Sequence, residues 1–414
     1  MKKVFVLLIA FVMAMSSAAL AADIKIGGEF EAAGICQRNF DFDKNVDDHT
    51  RTWYGNLVLS MEAQVAENIS VFASYTLVDG TWGDEKYDTP SGFSNASGVA
   101  SDDVAYAVVG IDSYTVTVGR QLDVWGNMML AGGDGMDRFK VSTMLGGFEH
   151  SIFTDKIVER DQPDLKDDVN RYGFQVERVS EDEEHGMGLY LWHAMSNGIA
   201  NIAGTEVSED VNGYGMDIYY RDVVGPVELS AELSYQAGDA ETENTSTTSA
   251  NGWTYGKDRF DKSRMGLFVT GEYEMESLGI SGTLAYAKNN FVAGDYFNPT
   301  LMTGVDQDNA IYNFGELLAD STSEGDSAML IALALEYGIS ENWTLGAGLA
   351  QHTFADDMGL KGTEVDLMAE YQINEGATWG LYVAHLSPEG FKDAGLKAED
   401  DAAMSVVQSL FIEF

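Results

Sequence analysis

The chain is poor in residues that staple, kink or neutralise. It has one cysteine, Cys36, so it forms no internal disulfide and holds no cysteine-built metal centre. Five prolines leave little to interrupt regular backbone. Only 24 residues are Lys or Arg, against 67 Asp or Glu. That imbalance repels polyanions and attracts cations, which excludes nucleic acid as a partner. Beyond the N-terminus no apolar run approaches the ~20 residues of a membrane-spanning helix. The most continuous run, AMLIALALEYG at 328–338, is too short and carries Glu336. A membrane protein built of strands stays open, because a spanning strand needs only about 9–11 residues. Disorder does not fit a chain that is 45% hydrophobic and 11% aromatic. The 44 glycines suit many twisted strands and tight turns.

The first residues read as an address. Lys2 and Lys3 precede the apolar run VFVLLIAFVMAM at 4–15, and SSAALAA follows. Ala19 and Ala21 fit a small-x-small cleavage site, so 1–21 is expected to be a secretory signal peptide. Asp23 stands where a lipoprotein would need a cysteine nearby. Losing Lys2 and Lys3 leaves 22 basic residues against 67 acidic ones, a formal charge of −45 on 22–414.

The rest of the chain repeats one pattern. In PVELSAELSYQAG at 226–238, Val227, Leu229, Ala231, Leu233 and Tyr235 take one face of an extended chain. Glu228, Ser230, Glu232, Ser234 and Gln236 take the other. The same alternation predicts about eighteen strands, with sixteen as the alternative count. They fall near 24–35, 50–66, 69–79, 103–111, 114–121, 138–146, 147–155, 170–179 and 186–195, then 212–222, 227–238, 264–274, 278–289, 327–338, 342–353, 362–373, 377–386 and 402–414. The pair at 138–155 is divided only by Gly146–Gly147.

The connections alternate in length. Short ones include AEN at 66–68, DS at 112–113 and NEG at 374–376. Long polar ones lie at 80–102, 122–137, 156–169, 196–211, 239–263, 290–326 and 387–401. Tight turns at one end and long loops at the other make an all-β, up-and-down antiparallel transmembrane barrel. A soluble sandwich has no reason for that rhythm. The barrel is expected to fill 22–414 as a single domain in the cell outer membrane, with lipid and lipopolysaccharide around it. Leu410, Ile412 and the terminal Phe414 share one face of the last strand. That ending resembles the signal read by the outer-membrane barrel assembly machinery.

Eighteen strands enclose more space than side chains fill. The wet face carries Glu62, Glu228, Glu232, Glu272, Glu336, Glu364, Asp366 and Glu370, and acidic linings favour cations. Arg138, Lys140, Arg171 and Arg264 share the polar parity of their strands. Arg120 shares the parity of Val116 and Val118, so it turns inward only if the chain bulges at Gly119.

The stretch GRQLDVWGNMMLAGGDGMD at 119–137, entered through VGRQ, resembles the third loop of general bacterial porins. The resemblance implies that this loop, near 120–137, folds into the barrel. It implies that Asp123, Asp134 and Asp137 on the loop face Arg120, Arg138, Lys140, Arg171 and Arg264 on the wall, making a transverse field. It also implies a homotrimer. The PEFGGD-type signature of close enterobacterial porins is missing.

The expected function is passive diffusion of ions and small hydrophilic solutes through a water-filled, weakly cation-selective pore. A substrate-specific channel is the alternative, although Trp125, Phe139 and Tyr190 form no continuous aromatic track. A structural or receptor barrel that binds partners through its long loops is the third reading. Catalysis is not expected: no GxSxG elbow, HExxH helix or glycine-rich phosphate loop organises His150, His185, His193, His352 or His385. No metal site or cofactor is assigned. The acidic turns GVDQDNA at 304–310 and GDGMD at 133–137 lack the closing Glu of a calcium loop. Divalent cations bridging acidic loops are the one class left open.

Overall fold

The computed structural model of the chain describes residues 23–39, 42–45, 49–82, 103–129, 132–158, 169–180, 185–202, 205–242, 263–289, 291, 327–354, 360–390 and 399–414. The expected signal peptide at 1–21 and the acidic turn at 304–310 lie outside the described residues.

Among the described residues eighteen strands follow one another in sequence. The first nine are β1 (Asp23–Arg38), β2 (Thr50–Ala66), β3 (Ile69–Thr81), β4 (Val104–Ile111), β5 (Tyr114–Val124), β6 (Gly132–Leu145), β7 (Phe148–Val158), β8 (Val169–Val179) and β9 (Gly186–Ile202). The second nine are β10 (Thr205–Val224), β11 (Val227–Thr242), β12 (Arg264–Met275), β13 (Leu278–Lys288), β14 (Ser327–Gly338), β15 (Trp343–Phe354), β16 (Lys361–Asn374), β17 (Ala377–Glu389) and β18 (Ala403–Glu413). Each pairs antiparallel with its sequence neighbours, and β1 also pairs with β18. The sheet is therefore a closed barrel with no free edge. Closure fixes the count at eighteen and removes the sixteen-strand alternative.

Alternation decides which way each strand faces. On β14, Met329, Ile331, Leu333 and Leu335 point outward and are exposed, Leu333 at 58%. Ala328, Leu330 and Ala332 point inward and are buried, Leu330 at 0%. An exposed row of large apolar side chains is stable only against lipid, so the outer surface has the character of a transmembrane barrel. At Gly146 and Gly147, φ is 63° and 83°, a two-residue turn with both centres left-handed. That turn makes 132–158 one hairpin and settles the division the sequence left thin.

Two expected loops differ from the structure. Residues 196–211 continue as strand on both sides of 203–204, because β9 and β10 stay paired up to Ile202 and Thr205. Residues 122–124 and 132–137 are likewise strand rather than loop, and the tip between them is described over 125–129. Above an apolar belt a ladder needs no apolar face, so its residues read as loop by composition.

Candidate functional site

The β5–β6 hairpin reaches over the inner wall to strands far from it in sequence. Gln121 and Asp123 continue the inward parity of β5, while Leu122 and Val124 face out. At the tip, Trp125 donates from Nε1 to Asp217 Oδ1 of β10 at 2.9 Å. The Asn127 amide N–H donates to Glu232 Oε2 of β11 at 2.6 Å, and its side chain donates to the Ala231 carbonyl at 3.0 Å. Arg221 of β10 donates back to Asn127 Oδ1 at 3.1 Å and to the Gly126 carbonyl at 3.2 Å. The Trp125 ring meets Tyr190 and Tyr219 edge-on, with centroids 5.4 and 5.2 Å away. Gly188 leaves the slot it fills: a Cβ there would lie 2.6 Å from the Trp125 ring.

Beneath the tip sits a buried four-charge cluster. Arg138 of β6 donates from Nε to Asp155 Oδ1 of β7 at 2.6 Å, and from Nη2 to Asp123 Oδ1 of β5 at 2.6 Å. Arg171 of β8 donates from Nε to Asp155 Oδ2 at 2.8 Å, and from Nη2 to Asp123 Oδ2 at 2.6 Å. The four side chains are almost wholly buried. Two positive and two negative charges cancel, which is what allows them to be buried together. The Phe153 ring covers Arg138 at 4.3 Å, so cation–π contact replaces water on one face of that guanidinium. Gly173 admits that ring, since a Cβ there would collide with it.

The predicted site residues therefore divide. Asp123, Arg138 and Arg171 come together, in direct contact on one wall rather than across water from each other. Arg120 keeps the outward parity: φ at Gly119 is 124°, yet the ladder runs on unshifted from Val118 to Gln121. It pairs with Asp137, also on the outward parity of β6, at 3.9 Å. Lys140 pairs with Glu149 at 3.3 Å. Arg264 is buried at the start of β12, opposite Gln236. The side chain of Asp134 lies outside the described residues.

The eight acidic residues all keep the inward parity, but in three environments. Glu228, Glu272 and Glu336 are exposed, with Glu228 directly opposite Glu272. Glu62 pairs with Lys25 at 3.2 Å, and Glu370 accepts from Tyr382 at 2.7 Å. Glu232, Glu364 and Asp366 are buried; Glu364 lies 3.1 Å from His352.

Asp155, Phe153 and Asp217 complete the site and were missed by the sequence reading. The signal for Asp155 was present: the two-residue turn at Gly146–Gly147 puts Arg138 opposite Asp155 by counting outward from it. The apolar part of the wall was missed too. Inward Phe268, Ala285, Ala287, Leu330 and Ala350 pack with Met129 of the tip and with Phe42, Phe291 and Leu360 from connections. Small inward residues mark that patch in sequence, but the loop side chains that cover it come from remote positions.

No protein-family model matches the chain, and no curated protein sequence matches it. Solved structures do. OccK1 (OpdK) of Pseudomonas aeruginosa superposes with a TM-score of 0.52 at 12% identity, over 95% of this chain and 99% of that one. A BenF-like porin from Pseudomonas fluorescens Pf-5 gives 0.54 at 9% identity over 95% and 99%. OccAB1 of Acinetobacter baumannii gives 0.52 at 10% identity over 95% and 97%. The fold is that of Gram-negative outer-membrane porins.

Proposed function

We propose that the protein is an outer-membrane channel for passive diffusion of ions and small hydrophilic solutes. One observation carries this reading: a closed eighteen-strand barrel exposes apolar side chains outward and turns carboxylates inward. The hairpin tip at 125–129, held on β10 and β11, is its constriction. Weak cation preference follows from the exposed Glu228, Glu272 and Glu336, because Arg138 and Arg171 are already neutralised by Asp123 and Asp155. The chain is exported through a cleaved leader at 1–21, inserted with the help of its C-terminal Leu410, Ile412 and Phe414, and works as a homotrimer without a cofactor or catalytic step.

The test is planar-bilayer recording of the purified protein. Stepwise conductance is expected, with steps in groups of three for a trimer. In a salt gradient the reversal potential should have the sign of cation preference. A silent bilayer sinks the channel; an anion-selective potential sinks the charge argument alone. A solute-selective channel is the second reading, favoured by the ordered tip and apolar wall patch in the lumen. One structure with this fold, OpdK of Pseudomonas aeruginosa, was solved with vanillate.

A further inference from the structure

On the wall formed by β1–β4 the structure has a cavity of about 360 Å³. Its inward-parity lining includes Lys25, Ser60, Glu62, Phe72, Ser74 and Tyr106. Lys25 Nζ and Glu62 Oε2 stand 3.2 Å apart, with their side chains 69% and 37% exposed. This is a solvent-facing pair, unlike the buried Arg–Asp cluster. Beside it the rings of Phe72 and Tyr106 stack at 5.0 Å with planes 18° from parallel, and give the cavity a flat apolar side. Gly27 sits at its edge, where a Cβ would lie 3.1 Å from the Phe414 carbonyl oxygen and 3.4 Å from Ser60 Oγ.

We propose that this cavity is a solute subsite for aromatic zwitterions of amino-acid type; the idea deepens the channel reading and rests on it. A wet ion pair is held weakly, so a visitor can exchange with it at little cost. A carboxylate can take hydrogen bonds from Lys25 while an ammonium donates to Glu62, leaving no charge unmatched. A solute with one charge satisfies only one side. An aromatic ring adds contact with Phe72 and Tyr106. The volume falls within the range of small-molecule sites.

The experiment is single-channel recording with L-phenylalanine, glycine, benzoate and benzylammonium, paired with calorimetry on the detergent-purified protein. L-phenylalanine should interrupt the current at a concentration about tenfold below any of the other three. Glu62→Gln should shift the preference toward benzoate, and Lys25→Met toward benzylammonium. Opposite shifts from two variants cannot arise from misfolding. Equal block by glycine, or a preference unmoved by both variants, overturns the proposal while the channel stands. If no current appears, the channel reading fails, and calorimetry still decides the subsite: heat of binding with the same order of ligands supports it, and no heat with L-phenylalanine overturns it.

Discussion

Asp155 accepts hydrogen bonds from both buried guanidiniums, so its carboxylate cannot be lost without stranding charge. Asp155→Asn leaves Arg138 and Arg171 sharing Asp123 alone. Removing one member of a buried ionic group costs about 3–5 kcal/mol. Urea unfolding of the protein in lipid vesicles, followed by tryptophan fluorescence, should show that loss. Adding Arg138→Met should recover part of it, since the remaining Arg171–Asp123 pair is again neutral. If the double variant is as unstable as the sum of the singles, mutual neutralisation is not what holds the cluster. The inward parity of Arg138 and Arg171 was legible in their apolar neighbours, whereas Asp123 entered only through the porin-like look of the stretch that carries it. The sequence hid their burial, because parity tells the side of a wall and not what lies over it. Glu232 and Glu228 share a strand face, yet one is buried under the hairpin tip and the other is exposed.

β14 shows what the alternation could and could not reveal. Its outward Leu333 and inward Leu330 are the same residue type, told apart only by parity. Leu333→Arg sets a charge against lipid and should cost about 2–4 kcal/mol. Leu330→Ala instead opens a cavity in the inner patch, at about 2–5 kcal/mol, and leaves the lipid face unchanged. Unfolding titrations in thin and thick bilayers separate them: only the Leu333 variant should respond to bilayer thickness. The hairpin of β5 and β6 was harder to read. Its glycine-bearing second strand has the composition of a loop, and the partners of its tip lie about a hundred residues away. Trp125→Ala removes the tip's hydrogen bond to Asp217 and its contacts with Tyr190 and Tyr219. Open-state conductance should rise and become noisier; an unchanged current would show that the tip does not limit flow.

Closure makes eighteen separate ladders one cooperative object, and its seam is where the first and last strands meet. The sequence exposed this seam poorly: strand count and loop rhythm require that the first and last strands pair, but not in which register. The structure sets Glu29 opposite Glu413 and Arg38 opposite Met404, ten pairs in all. Beyond that ladder Phe414 and Gly28 exchange backbone hydrogen bonds of 3.0 and 2.9 Å. A Cβ on Gly28 would fall 2.5 Å from the Val58 carbonyl and 2.9 Å from the Phe414 ring, so the glycine is needed for this close approach. Deleting Phe414 should therefore remove one exchange and one ring contact but spare the ten-pair ladder. Two hydrogen bonds at about 0.5–1.5 kcal/mol each set the scale of the equilibrium loss. Refolding of the purified variant into vesicles should reach a yield near that of the parent, seen as the compact band of unheated protein on a denaturing gel. In cells, the proposal that Leu410, Ile412 and Phe414 form an assembly signal predicts that the same deletion sharply reduces inserted barrel. Equal insertion in cells would reduce Phe414 to a seam contact; poor refolding in vesicles would make it a determinant of closure itself.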